Sequence, residues 1–118
     1  MEVPEFQNLF DWDISADHGA VVLTLRGEID ISVAAPFAGA FDRGLAEATA
    51  SLIADFADVE YIDSSGLKVL VNAWRTCDTT GVPFRLVNLR PLVKRVIEIA
   101  GLLDALCQDS VSSPPSGG

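Results

Sequence analysis

Residues 51–66 read Ser51-Leu52-Ile53-Ala54-Asp55-Phe56-Ala57-Asp58-Val59-Glu60-Tyr61-Ile62-Asp63-Ser64-Ser65-Gly66. Ser51 to Phe56 is mostly apolar and predicts a strand in the middle of a sheet. Asp58 to Asp63 predicts a connecting segment with two apolar anchors, Val59 and Ile62. A different period then begins. Leu67, Leu70, Val71, Trp74 and Cys77 or Asp78 share one helical face, and Lys68, Asn72 and Arg75 share the other. This predicts a helix from near Ser64 or Ser65 to about Thr79, ended by Gly81 and Pro83. Phe84 to Leu89 follows as another strand, so the stretch is a β-α-β step, which needs a parallel pair.

Upstream, Phe10, Trp12, Ile14 and Ala16 alternate with Asp11, Asp13 and Ser15, the period of a half-buried strand. Asp17-His18-Gly19 is a tight turn into a second strand, Ala20 to Arg26, so this pair is antiparallel. Gly27-Glu28-Ile29-Asp30 breaks the pattern. Ser32 to about Ala48 predicts a helix with Phe37, Phe41, Leu45 and Ala48 inward, capped by Ser32 or Asp30, with Pro36 in its first turn. Downstream, Pro91 opens a third helix with Leu92, Val93, Val96, Ile97 and Ala100 inward, and Gly101 stops it. Leu102 to Cys107 fits either a helical turn or a last strand. The expected class is α/β: a mixed sheet of four to five strands with helices packed mainly on one face.

The 118 residues suit one domain, placed here at 10–107, between a flexible stretch at 1–9 and a disordered Ser/Pro/Gly tail at 108–118. Hydrophobic residues make up 49% and charged residues 21%, a globular composition. The net charge of -9 disfavours nucleic acid and anionic membrane as partners. Residues 1–63 hold thirteen acids and two bases, and residues 64–118 hold four acids and six bases. Such polarity suits a charged protein partner, and equally a surface that only aids solubility. Cys77 and Cys107 match no zinc spacing and no disulfide framework, and no signal peptide or membrane span is legible, so a cytoplasmic protein is expected.

Asp63-Ser64-Ser65-Gly66 lies where a chain enters a helix. Backbone N–H groups are unpaired there, and the positive end of the helix dipole tolerates a phosphate. A plain helix cap with a glycine for close approach explains the same residues. The G-x-S-x-G spacing of a nucleophile elbow and the GxxxxGK[ST] of a P-loop are absent. Glu28 and Asp30 are two apart on an extended segment and point to one side. Paired carboxylates can hold a metal or move a proton, yet no histidine or third acid converges with them, so a solvated turn is the competing reading. His18 is a turn residue, Trp12 and Trp74 are core candidates, and Cys77 is a buried thiol.

Gly27-Glu28-Ile29-Asp30, residues 58–70 and residues 91–102 together resemble the motifs of the STAS domain, in the branch of bacterial anti-sigma-factor antagonists. The resemblance spans about residues 10–107 in order and spacing. It implies a STAS-like fold and a partner-switching protein, not an enzyme, with no cofactor and no metal. Such a protein binds an anti-sigma factor with serine kinase activity and releases the sigma factor, until the kinase phosphorylates it. Carried over, Ser64 is the phosphorylation site, and Asp63, Ser65 and Gly66 shape its loop. Glu28, Asp30, Ser32 and Lys68 are implied as partner-binding residues, with a phosphatase as a further candidate partner. The family's last helix is expected to be absent or a stub, since Gln108 onward is polar. Two other readings compete: a STAS scaffold or transport-accessory subunit unrelated to sigma-factor control, and an enzyme or nucleotide-binding module.

Overall fold

The computed structural model describes residues 10–103 and 106. The expectations for 1–9 and 108–118, and any role for Cys107, lie outside the described residues. The chain runs β1 (Asp11–Asp17), β2 (Ala20–Ile29), a 3-10 turn (Ile31–Val33), α1 (Ala34–Glu47), β3 (Ser51–Ile62), α2 (Ser64–Thr80), β4 (Phe84–Val87) and α3 (Pro91–Ile99). The strands stand in the order β1-β2-β3-β4. β1 and β2 are antiparallel, and β2–β3 and β3–β4 are parallel. This is the mixed sheet that the hairpin and the β-α-β steps demand.

One face of the sheet carries the core. Val21, Leu23 and Leu25 of β2 and Leu52, Ala54 and Phe56 of β3 are buried, while Val22, Thr24, Ile53 and Asp55 between them are half-buried. Phe37 and Phe41 of α1, Leu70 and Cys77 of α2, and Val93 and Ile97 of α3 join the same cluster. Small residues on α1, Ala40 and Gly44, let that helix lie close to the sheet; a Cβ on Gly44 would stand 3.1 Å from a Leu23 methyl.

Several expected boundaries move. β2 does not stop at Arg26 but continues through Gly27 and Glu28 to Ile29, and Asp58 to Ile62 is strand, not connection. β3 takes two more residues than β2 between the pairs Thr24↔Asp55 and Ile29↔Ile62, so it bulges twice. The bulges destroy the two-residue period that marks a strand in sequence. Gly27, at φ +110°, takes up the irregularity on β2. β4 ends at Val87 rather than Leu89, because Asn88 turns to φ +61° and its amide donates to Asp55 at 3.1 Å.

The helices also shift. The buried seam of α2 is Gly66, Leu70, Ala73 and Cys77, with Leu67, Val71 and Trp74 only half-buried and Asp78 exposed. On α3, Leu92 and Ala100 are exposed, not inward. Past Gly101, Leu103 and Leu106 are helical, and Leu106 donates its N–H to the Leu102 carbonyl at 3.0 Å and is buried, whereas residues 104, 105 and 107 of the expected segment lie outside the described residues.

Candidate functional site

The ends of β2 and β3 carry twin turns. Asp30 follows β2, and its Oδ1 accepts from the Ser32 N–H at 2.9 Å and from the Ser32 hydroxyl at 2.5 Å. Asp63 follows β3, and its Oδ1 accepts from the Ser65 N–H at 2.9 Å and from the Ser65 hydroxyl at 2.5 Å, with the Gly66 N–H at 3.4 Å. Asp-x-Ser thus closes both strands in the same way. The caps are Asp30, for the 3-10 turn, and Asp63, for α2. The short carboxylate reaches the first N–H groups that a helix leaves without partners.

Parallel pairing makes these turns neighbours. Ile29 stands opposite Ile62 and Glu28 opposite Tyr61. The Asp63 N–H donates to the Ile29 carbonyl at 3.0 Å, so the backbone itself ties one turn to the other. Gly66 then enters the seam between the strand ends. A Cβ on it would stand 2.6 Å from an Ile62 side-chain carbon and 2.7 Å from an Ile29 methyl. Gly66→Ala is therefore expected to destabilise the fold by about 1–2 kcal/mol, because overpacking outweighs the gain in helix propensity. Gly39→Ala on the exposed face of α1, where a Cβ meets nothing within 4 Å, is the control. It should stabilise by about 0.5–1 kcal/mol. Urea midpoints of both variants check the pair.

Of the residues singled out in sequence, Ser64 is exposed at the first position of α2, while Ser65 is half-buried and its hydroxyl is held by Asp63. Asp63 is half-buried and Gly66 is buried. Lys68 is exposed one turn on from Ser64, on the same side of the helix. Glu28 and Ser32 are exposed and Asp30 is half-buried, all on the neighbouring strand end. Two exposed apolar residues in this cluster were not singled out: Ile31, 75% exposed, and Tyr61, 40% exposed. The echo of Asp30-Ile31-Ser32 in Asp63-Ser64-Ser65 was the available signal for Ile31.

Nothing else among the described residues gathers chemistry. No group of three or more His, Cys, Asp or Glu is placed to hold a metal ion, and no helix is long and apolar enough to cross a membrane. A cavity of about 550 Å³ lies at the far end of the sheet, where the starts of β3 and β4 meet the last turns of α2. Trp74 and Cys77 line it. Burial pushes the Cys77 thiol up, away from the reactive thiolate. His18 sits in the hairpin turn, 2.6 Å from Asp17 and at the opposite end of β2 from Asp30.

The family model described as the STAS domain matches residues 11–113. The Anti-sigma-B factor antagonist of Bacillus subtilis is 31% identical over 106 residues, covering 90% of this chain and 94% of that protein. The Anti-sigma-F factor antagonist RsfB of Mycobacterium tuberculosis is 36% identical over 90 residues, covering 74% of this chain and 71% of that protein. A crystal structure of an anti-sigma factor antagonist from Mycobacterium paratuberculosis superposes with a TM-score of 0.74 at 26% identity, over 82% of each chain.

Proposed function

Because the chain belongs to the STAS domain family, we propose that it is an anti-sigma-factor antagonist switched by phosphorylation of Ser64. It binds an anti-sigma factor that is also a serine kinase, in the cytoplasm, and so frees a sigma factor. It acts by binding and not by catalysis. The observation that carries the reading is the exposed Ser64 hydroxyl on a turn fixed by Asp63 and joined to the end of β2. The docking surface comprises that turn, the Glu28–Ser32 turn and Lys68 on the first turns of α2.

The geometry also supports Ser64 over its neighbour as acceptor. The Ser65 hydroxyl is spent on Asp63 at 2.5 Å and is half-buried, whereas Ser64 faces solvent and can enter a kinase cleft. A phosphate on Ser64 adds about 1.5 to 2 negative charges. Asp63 already takes the Ser65 and Gly66 N–H groups, so the phosphate gains little from the helix end beyond its dipole, about 0.3–1 kcal/mol. It stands beside the Asp63 carboxylate on an acidic loop cluster, and a partner docked over it meets that charge desolvated.

The test is phosphotransfer from ATP by the cognate kinase, followed by peptide mass mapping. The expected product carries one phosphate, on Ser64. Ser64→Ala should still bind and stay unmodified, and Ser65→Ala should remain a substrate. Phosphate on Ser65 would refute the assignment. No transfer from a kinase active on another substrate would leave the scaffold role ahead.

A further inference from the structure

We infer that Ile31 is an apolar anchor of the docking surface beside Ser64, and that the surface fits a protein partner presenting an apolar pocket ringed by basic side chains. This rests on the reading of the Ser64 turn as a docking surface and names what that surface asks of its partner.

Single exposed hydrophobic residues are ordinary on soluble proteins. Ile31 differs in how it is held. Ile29 before it and Val33 after it are buried, while Ile31 between them is 75% exposed. Asp30 grips the turn from both sides: its carboxylate takes the Ser32 N–H and hydroxyl, and its carbonyl takes the Val33 N–H at 3.1 Å. The side chain is therefore displayed on a fixed backbone, and little backbone freedom remains to be lost on docking. Ile31 and Ser64 occupy the middle position of the two Asp-x-Ser turns, and the Asp63 N–H to Ile29 carbonyl bond joins those turns. Tyr61, 40% exposed and paired in register with Glu28, adds a second apolar surface on the same strand ends. Among the described residues the other exposed large hydrophobics, Leu92 and Ile99, lie on α3 and not on these turns.

Charge fixes the kind of partner. Glu28, Asp58, Glu60 and Asp63 cluster on the ends of β2 and β3 that carry these turns. Among the described residues the nearby bases are Lys68, Arg90 at 3.6 Å from Asp58, and Arg26, which stands opposite Asp58 in register but is held by Asp11 and Asp13 of β1. An apolar centre within an acidic field attracts a basic protein surface and repels an anionic lipid surface.

The test compares full-length Ile31→Ser and Ile31→Leu with the wild-type chain by titration calorimetry against the cognate anti-sigma kinase. Ile31→Ser should bind about five- to tenfold more weakly, and Ile31→Leu within about twofold of wild type. Thermal midpoints should match, since the side chain supports no packing. In phosphotransfer, Ile31→Ser should raise KM and leave kcat unchanged. Unchanged affinity of Ile31→Ser, beside a wild-type chain that binds, would overturn the anchor and leave the docking surface standing. A wild-type chain that does not bind the kinase would overturn the docking surface and the anchor with it.

Discussion

Ser64→Asp is expected to bind the anti-sigma partner at least about tenfold more weakly than the wild-type chain, or about 1.4 kcal/mol, while unfolding at the same urea concentration. Two features separate the effects. Ser64 is exposed at the first position of α2 and supports no packing, and an acid in the first turn of a helix is mildly favourable. Fold stability should thus move by less than about 0.5 kcal/mol. At the docked surface the new carboxylate joins Asp63 and Glu28 on adjoining strand ends and loses water when covered, which raises the cost. Ser64→Glu should act likewise, and Ser64→Ala should bind as wild type. Calorimetric titration together with urea unfolding of the same samples checks both halves. Equal affinity for Ser64→Asp and wild type would remove the switch from this serine.

Phe37→Ala is expected to destabilise the fold by about 3–5 kcal/mol, a large share of what a small domain has. Phe37 is fully buried and meets three other rings edge to face: Phe10 at 5.9 Å, Phe41 at 5.2 Å and Phe56 at 6.5 Å. Phe41 in turn meets Phe84 at 5.9 Å. These rings connect α1 to β3 and β4 and to the residue that leads into β1, so a cavity at Phe37 loosens most of the sheet at once. Edge-to-face pairs add about 0.5–1.5 kcal/mol each beyond area burial, which places the loss toward the upper end. The urea midpoint should fall by roughly 2 M at a slope of about 1–3 kcal/mol/M. A loss below about 1 kcal/mol would mean that the core closes over the gap.

Much of this molecule was legible in its residues. Alternation from Phe10 to Ala16 and the turn at Asp17-His18-Gly19 gave the antiparallel hairpin, which pairs Asp11 through Asp17 with Arg26 through Ala20. The periodic faces gave α1, α2 and α3, and the Asp63-Ser64-Ser65-Gly66 stretch marked the start of α2. These features are local: side-chain period, short capping groups and turn residues act over a few positions, and their signal survives in one dimension. The small-residue seam of α2 was less legible. Gly66 and Ala73 are buried through close approach to neighbouring elements, and small residues add little to an apolar face read by period alone.

Three matters belonged to the tertiary structure. The length of β3 was one, because two bulges space its buried residues Phe56, Val59 and Ile62 three apart, and only the pairing with Arg26 to Ile29 of β2 holds Asp58 to Ile62 extended. The need for glycine at position 66 was another, set by the Ile29 and Ile62 side chains that close over it from two strands. The last was the site itself. Ile29 and Asp63 are far apart in sequence, and only parallel pairing of β2 with β3 puts their backbones 3.0 Å apart. That contact makes neighbours of the two turns that carry Ile31 and Ser64. Residue types and short-range order were therefore fixed by the sequence alone, whereas adjacency of the two turns required strand register, a long-range pairing that no local pattern encodes.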